Sequence, residues 1–413
     1  MTDEAQAAAR RVADAVARRS YGKLVAYLAA RTGDVAGAED ALAEAFAAAL
    51  ADWPAKGCPE TPEAWLLTVA RRKAADAGRR GRTAMAASGR LKLIAEELEA
   101  AAAAPEIPDR RLALMFACAH PAIDPAMHAP LMLQAVIGLD AARIASAFLV
   151  SPAAMGQRLV RAKGKIRRAG VPFAIPPREA LAERSEAVLD AIYAAFAEGW
   201  SDPSGADPAR RDLTEEAMFL ARLAAELMPD APEALGLLAL MLYAEARRPA
   251  RRGPGGEYVP LADQDPALWV APMIEEAETV LRRAGGLGAI GRRQLEAALQ
   301  SAHVARGRAG LSNWAETVQL YDALYALTAS PVVAVNRALA LAETKGAAAG
   351  LAAMPAEDER LAAYQPYWAA RAELLARNGE AEGARHAYDL AIGLELDPAV
   401  RAFLQRRRAA LPT

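Results

Sequence analysis

Two segments of the sequence carry basic side chains in a pattern that could hold a polyanion. Residues 66–80, LLTVARRKAADAGRR, contain five Lys or Arg and one acidic residue, although the formal net charge of the 413-residue chain is −2. Residues 158–168, RLVRAKGKIRR, contain no acidic residue. Lysine and arginine neutralise phosphates, and long donors on a helix can also reach base edges in a groove. Both segments are therefore candidates for contact with nucleic acid.

The first basic segment is expected to lie on an amphipathic helix. Thr61-Pro62 can cap and start this helix. Its apolar stripe would consist of Leu66, Ala70, Ala74 and Ala77. Trp65, Arg72 and Arg79, which are spaced by seven, then share a line on roughly the opposite face, with Asp76 beside them.

This line of residues has two interpretations. An aromatic side chain flanked by arginines on a solvent face can stack on an unpaired base while the cations hold phosphates. Alternatively, Trp65 packs against Trp53 and the basic residues form an ordinary solvated face. Considered alone, the helix favours the second interpretation.

The second basic segment belongs to a helix-turn-helix pattern over residues 140–168. Asp140 can cap a short first helix, and Ser151-Pro152 can cap and start the second. The second helix would bury Met155, Leu159, Ala162 and Ile166, and its positive stripe would be Arg158, Arg161, Lys165 and Arg168. A recognition helix needs one face fixed on its partner helix and another free to enter the major groove. The pattern therefore predicts that this helix binds DNA.

A third amphipathic helix is predicted over residues 34–52, upstream of the first basic segment. Apolar residues recur there at three- and four-residue steps, at Val35, Ala38, Leu42, Ala45, Phe46 and Ala49. The other side of the helix carries Glu39, Asp40 and Glu44. These acidic side chains are expected to face solvent or a partner.

Composition predicts an all-α protein, and the lack of catalytic motifs argues against an enzyme. Hydrophobic residues make up 54% of the chain, mostly Ala and Leu, and few stretches alternate with period two. No apolar stretch of eight or more residues directly follows the N-terminus, so a secretory signal is not expected. The sequence has no apolar run of 18 residues and two cysteines, Cys58 and Cys118, so a cytoplasmic protein without a membrane span is expected. The four histidines belong to no zinc or hydrolase motif, and the Gly-containing segments GRRGRT and GGLGAIG lack the context of a phosphate-binding loop, so we expect no catalytic residue, metal or cofactor.

Pro- and Gly-containing breaks divide the chain into helical modules at 1–80, 108–172 and 180–413, with a linker at 81–107. Residues 1–173 hold 24 Lys/Arg against 18 Asp/Glu, whereas the remainder holds 25 against 33.

The last module contains repeated helix-break-helix patterns. One of them closely matches the second half of a tetratricopeptide repeat, at Gly379, Ala384, Tyr388, Ala391 and Asp397-Pro398. Stacked helical hairpins with a concave surface for a protein or peptide partner are therefore expected there.

The three motifs, in this order, resemble those of the extracytoplasmic-function group of sigma-70 family RNA polymerase sigma factors. The family's first signature is matched by Ala38-Glu39-Asp40, Glu44 and Phe46, with Ala43 in place of the usual Gln. The resemblance implies two small sigma-type helical domains, the second with the helix-turn-helix. It also implies that the acidic helix docks on the β′ clamp helices of core RNA polymerase through Glu39, Asp40, Glu44 and Phe46.

The second family motif coincides with the first basic segment. It is matched at Trp65, Leu66, Val69, Ala70, Arg71, Ala74, Asp76, Arg79 and Arg80, while Arg72 replaces the usual Asn. The resemblance implies that this helix captures the minus-ten strand of promoter DNA. The implied contacts are Trp65, Arg71, Arg72, Lys73, Asp76, Arg79 and Arg80.

The third family motif covers the helix-turn-helix. It is matched at Gly138-Leu139-Asp140, Ile144-Ala145, Val150, Arg158-Leu159 and Arg161-Ala162, with departures at Leu149, Ala154 and Gly156. The resemblance implies that this domain binds the minus-thirty-five duplex and the β flap of the polymerase. The implied DNA contacts are Ser151, Gln157, Arg158, Arg161, Lys165 and Arg168.

The full length of the chain resembles one subgroup of these factors, which has a large tetratricopeptide-like C-terminal extension. The marks of the subgroup here are Phe116 to Pro121, Phe196 to Gly199 and Asp263 to Asp265. They imply an alternative sigma factor whose fused extension, with a protein partner of its own, modulates promoter-specific initiation. The competing interpretation is a helix-turn-helix transcriptional regulator with a repeat-built sensor domain, which would leave the acidic helix and the Trp65 face unexplained.

Overall fold

The computed structural model describes residues 3–80, 109–147, 150–200 and 208–412. Within these ranges the protein forms nineteen α-helices and no β-strand, which confirms the all-α prediction. The linker predicted at 81–107 lies outside them. Contacts divide the chain into two units, residues 1–195 and 196–413. The first unit contains both of the front modules that the sequence predicts.

The front of the first unit is a group of three helices, α1 (Asp3–Thr32), α2 (Val35–Lys56) and α3 (Pro62–Arg80). The Asp34 side chain caps α2 by accepting a hydrogen bond from the Gly37 N–H at 3.2 Å. Each helix contributes buried apolar residues to a shared core, among them Leu24, Leu42 and Leu66, which are fully buried. Packing of these apolar stripes leaves most charged side chains of α2 and α3 outside this three-helix core.

Five further helices follow in chain order and carry the helix-turn-helix. They are α4 (Arg111–Cys118), α5 (His128–Met132), α6 (Ala141–Ala147), α7 (Pro152–Arg168) and α8 (Arg178–Trp200). A π-helical turn, Leu133–Ile137, continues α5 and lies directly against α1. A Cβ atom at Gly22 of α1 would sit 1.7 Å from the Val136 carbonyl oxygen, so only glycine permits this approach.

The second unit is a run of helices packed largely against their neighbours in sequence. They are α9 (Pro208–Leu227), α10 (Pro232–Ala246), α11 (Ala271–Gly285), α12 (Arg292–Ala309), α13 (Trp314–Thr328), α14 (Pro331–Lys345), α15 (Ala347–Ala353), α16 (Glu359–Ala362), α17 (Gln365–Arg377), α18 (Ala381–Leu394) and α19 (Pro398–Ala409). The helices α17 and α18 form a hairpin in which Ala384, Tyr388 and Ala391 are buried and Gly379 turns the chain with φ +84°. No helix in the described part of the chain is long and apolar enough to span a bilayer.

Candidate nucleic-acid interface

The helix-turn-helix is built by the local signals present in the sequence. Asp140 Oδ1 accepts hydrogen bonds from the N–H groups of Ala142 and Arg143, both at 2.9 Å, and so starts α6. The Ser151 hydroxyl accepts from the Ala154 N–H at 3.3 Å, and Pro152 occupies the first position of α7. The predicted stripe of Met155, Leu159, Ala162 and Ile166 is buried. This burial fixes which face of α7 remains outside.

The outer face of α7 presents every residue for which a duplex contact is predicted. Exposed there are Ser151, Gln157, Arg158, Arg161, Lys165 and Arg168. The four cations of this set line a single groove of about 530 Å³, whose other wall is the segment of residues 123–127. We call this feature the α7 groove.

The α7 groove is strongly positive because its cations have almost no protein partners. Within the described ranges Arg158, Lys165 and Arg168 form no ion pair, and Arg161 donates only to the Gln157 carbonyl of its own helix at 3.3 Å. Asp124 supplies a carboxylate to the lining, and this carboxylate accepts from the Ala126 N–H at 3.0 Å. Long donors left free beside one another are what phosphates on a nucleic-acid backbone require.

The cations of α3 are placed differently, and Arg71 is directed toward α1. Its Nη2 donates to the Tyr27 hydroxyl at 2.8 Å, and its guanidinium lies 5.2 Å from the centroid of the Tyr27 ring. Burial lowers the pKa of Arg71, although the side chain stays charged at neutral pH. Arg71 thus holds α3 against α1.

Two further predicted α3 residues also have protein partners. Trp65 is half-buried, and its ring meets that of Trp53 edge-on with centroids 5.5 Å apart, as one of the two interpretations of the sequence required. Lys73 Nζ lies 3.0 Å from Glu44 Oε2 in an exposed ion pair. Arg72 is exposed and forms no ion pair with any residue that the structure describes. Asp76, Arg79 and Arg80 occupy the end of α3, and their side chains lie outside the description.

The acidic side chains predicted on α2 do not all face solvent. Lys163 of α7 lies 2.5 Å from Glu39 Oε2, and the two side chains are only 9% and 14% exposed. Beside this pair, Arg167 Nη1 lies 3.1 Å from Asp34 Oδ2. Asp40 is exposed. Glu44 is exposed as well, and Phe46 is half-buried.

Lys163 is a residue that the sequence argument missed. It lies one turn after Leu159 and one turn before Ile166, inside the stripe of α7 that is buried. A lysine within a buried stripe is rarely found without a carboxylate partner. Its position in the sequence could therefore have predicted an acidic partner. Burial raises the pKa of the Glu39 carboxyl, and the Lys163 ammonium opposes this shift only in part.

The Cys118 thiol is fully buried and is influenced by the charges of Glu39 and Lys163. Burial raises the pKa of the Cys118 thiol to about 12, so the reactive thiolate is not populated at neutral pH. Across the described residues, no group of three or more His, Cys, Asp or Glu side chains is arranged to hold a metal ion. The charged features described for the first unit are the α7 groove, the acidic side of α2 and the basic side of α3.

Comparison with known proteins assigns two parts of the chain. Residues 16–83 match the model of sigma-70 region 2, and residues 184–285 match a family of unknown function, DUF6596. The uncharacterized protein R00370 of Rhizobium meliloti (strain 1021) is 38% identical over 377 residues, which are 89% of this chain and 88% of that protein. No solved structure matches the chain. The chain therefore belongs to the same family as the Rhizobium meliloti protein, and its front part is a sigma-70 region 2 domain.

Proposed function

We propose that this protein is an alternative sigma factor of the extracytoplasmic-function group, which binds core RNA polymerase and directs promoter-specific transcription initiation. The sigma-70 region 2 domain at residues 16–83 supports the polymerase part of the proposal. The observation that carries the DNA part is the α7 groove, where four cations lie side by side without an ion pair to any described residue. Catalysis would reside in the polymerase.

In this proposal α7 holds the minus-thirty-five duplex. Arg158, Arg161 and Lys165 would contact phosphates and guanine edges, since long exposed donors on one helix face can enter the major groove. Ser151 and Gln157, which are exposed at the start and on the same side of α7, would contact the backbone next to them.

The helix α3 would capture the opened minus-ten strand. Arg72 is exposed and would contact a phosphate directly, and the half-exposed Trp65, braced by Trp53, would offer a ring surface to an unstacked base. Arg71 would act mainly by holding α3 in place through Tyr27. The family resemblance adds Lys73, Asp76, Arg79 and Arg80 to this surface.

Core polymerase would bind the acidic side of α2. Asp40 is exposed, and Glu44 is held only in an exposed pair with Lys73 that water can screen. Phe46 is half-buried and offers part of its ring. Glu39 would become available to the polymerase only after its contact with Lys163 is exchanged.

The fused helical unit would modulate the activity of the factor and hold a protein partner, and the factor would act in the cytoplasm. A truncation tests this role, and the structure guides where to cut. The Arg184 guanidinium in α8 lies 5.7 Å from the Phe116 ring centroid and donates to the Phe116 carbonyl, so α8 should be kept. A chain ending after Trp200, the last residue of α8, that transcribes as well as the intact protein would exclude an obligatory modulating role.

Reconstituted transcription is the direct test of the proposed function. The full chain is added to core polymerase on genomic promoter fragments, and promoter-dependent transcripts are expected together with co-purification of the chain with the core enzyme. Absence of both results, combined with retained binding to duplex DNA, would instead establish a helix-turn-helix regulator.

A further inference from the structure

The second unit contains a partly open cavity that none of the roles above uses. It has a volume of about 330 Å³ and lies between the segment of residues 261–269, the last turns of α12 and the start of α13. Its lining includes Gln264, Trp269, His303, Arg306 and Trp314. A cavity of this size, with aromatic walls and a few polar groups, has the make-up of a small-molecule site.

Arg306 carries a charge in this cavity without a carboxylate beside it. Its guanidinium lies 3.6 Å from the centroid of the Trp314 ring, and it donates to Asn313 Oδ1 and, at 3.2 Å, to the Thr317 hydroxyl. No carboxylate of the described residues lies within ion-pair distance, and Glu343 acts on Arg306 only from farther away. Burial lowers the pKa of Arg306. A partly desolvated arginine is normally paired with an anion, because its charge is otherwise costly to bury.

The buried or half-buried ionisable groups nearby, His303 and Arg247, add positive charge or no charge, whereas Asp263, Asp265 and Glu343 are exposed to solvent. His303 Nδ1 lies 2.5 Å from Arg306 Nη2, and burial together with Arg306 and Arg247 lowers the pKa of His303 to about 4, so the imidazole is neutral and accepts the hydrogen bond. Arg247 is 7% exposed and donates to the Tyr243 carbonyl at 3.3 Å and to Gln300 Oε1, both uncharged. The interior beside the cavity therefore favours an anion.

The walls indicate what kind of anion would fit. Trp269 packs so closely on Gly307 that a Cβ atom there would lie 2.4 Å from Trp269 Cη2, and only 7% of Trp269 is exposed. Gln264 Oε1 and Trp269 Nε1 are buried and make no hydrogen bond. A flat apolar body would contact the indoles, and a small conformational adjustment would let a polar substituent satisfy the two unpaired groups.

We propose that this cavity binds a small organic monoanion, in which a carboxylate on a flat apolar body is held by Arg306 while the body lies against Trp269. A carboxylate matches the planar fork of one arginine, whereas a phosphate dianion would require more donors than one guanidinium and a neutral imidazole supply. The inference concerns ligand binding by the second unit and does not depend on the proposed sigma-factor activity.

The test is isothermal titration calorimetry on the full-length chain. The probes are benzoate, 4-hydroxybenzoate and indole-3-acetate, each compared with its uncharged amide, and inorganic phosphate is included as the competing anion. We expect at least one carboxylate to bind, and its amide to bind at least about tenfold more weakly because the charge-assisted contact is lost. Equal binding of acid and amide, binding of phosphate in place of carboxylates, or no binding of any carboxylate would overturn the proposal.

Matched variants locate the site. Arg306→Gln should abolish the preference for acid over amide, whereas Arg308→Gln, which removes an exposed arginine two residues away on the same helix, should leave it unchanged. Arg306 also donates hydrogen bonds to Asn313 and Thr317, so Arg306→Gln removes structural contacts as well. A second variant, Ala262→Phe, leaves Arg306 unchanged. It adds a ring at an exposed residue of the lining and should block binding. Carboxylate binding that survives in both Arg306→Gln and Ala262→Phe would contradict the assignment.

Discussion

The helices α3 and α7 are both rich in cations, but among the described side chains most cations of α3 have protein partners whereas most of those on α7 do not. On α3, Arg71 bonds to Tyr27 and Lys73 pairs with Glu44, because α3 packs against both other helices of its group. On α7 only Lys163 and Arg167 are engaged by α2, and the face that carries Arg158 is left open. A count of charges along the sequence therefore does not measure the charge available to DNA.

Removing the open cations of α7 should have the largest effect. The variant R158Q/R161Q/K165Q/R168Q is expected to bind duplex DNA more than about a hundredfold more weakly near physiological salt, and the slope of log K against log salt should fall by about one for each cation lost. Fluorescence anisotropy across a salt titration measures both quantities.

The control for this variant removes a charge from α2. Lys56 is exposed and pairs with Asp52 on its own helix, so K56Q should leave duplex affinity nearly unchanged. If the quadruple variant binds DNA as K56Q does, the α7 groove is not the interface, and the contrast between α3 and α7 loses its functional meaning.

A substitution of Lys163 tests the other half of this contrast, because Lys163 is the buried cation of α7 and is paired with Glu39. In K163M the Glu39 carboxylate would be left without its partner, and breaking a buried pair typically costs about 3 kcal/mol of unfolding free energy. Because burial raises the pKa of Glu39, its neutral form is favoured in the folded state, so this loss should shrink as pH falls toward the unfolded pKa of about 4.3. Chemical denaturation at pH 7.5 and pH 5 measures the difference.

The double variant E39Q/K163M is the control for that prediction. With the carboxylate removed as well, most of the lost stability should return, since replacing both partners of a buried pair is often nearly neutral. A double variant as unstable as K163M would mean that Lys163 acts through the packing of its aliphatic chain and not through Glu39.

Local signals in the sequence predict the helices and part of the candidate DNA-binding site. The capping side chains of Asp140 and Ser151 and the buried stripe through Leu159 lie within a few residues of the elements they set, so spacing alone predicts them. The contacts of Arg71 with Tyr27 and of Lys163 with Glu39 join residues 44 and 124 positions apart. Such pairings depend on how helices pack together, which periodicity does not specify.

Arg71 and Arg72 are adjacent in sequence, and substituting each in turn distinguishes a structural role on α3 from a role in DNA binding. R71Q loses a charged hydrogen bond and a cation–π contact and should lower the unfolding free energy by about 1–2 kcal/mol. R72Q should change stability by less than about 0.5 kcal/mol, as is usual for exposed positions, while weakening binding to single-stranded DNA about fivefold. Thermal unfolding and strand-binding titrations distinguish the two, and a reversal of the pattern would show that Tyr27 does not hold Arg71 in solution.

The smallest effect is expected at the exposed pair of Lys73 and Glu44, whose side chains are 44% and 56% exposed. A pair this open to water contributes less than about 0.5 kcal/mol, so K73Q and E44Q should each leave the unfolding free energy almost unchanged. Lys73 can then exchange Glu44 for a phosphate at little cost, and K73Q should weaken single-strand binding about two- to threefold while E44Q strengthens it slightly. A loss of stability above about 1 kcal/mol in K73Q would instead show that Lys73 has a structural role like that of Arg71. Among the described side chains of α3, Arg72 would then be the cation left to contact DNA.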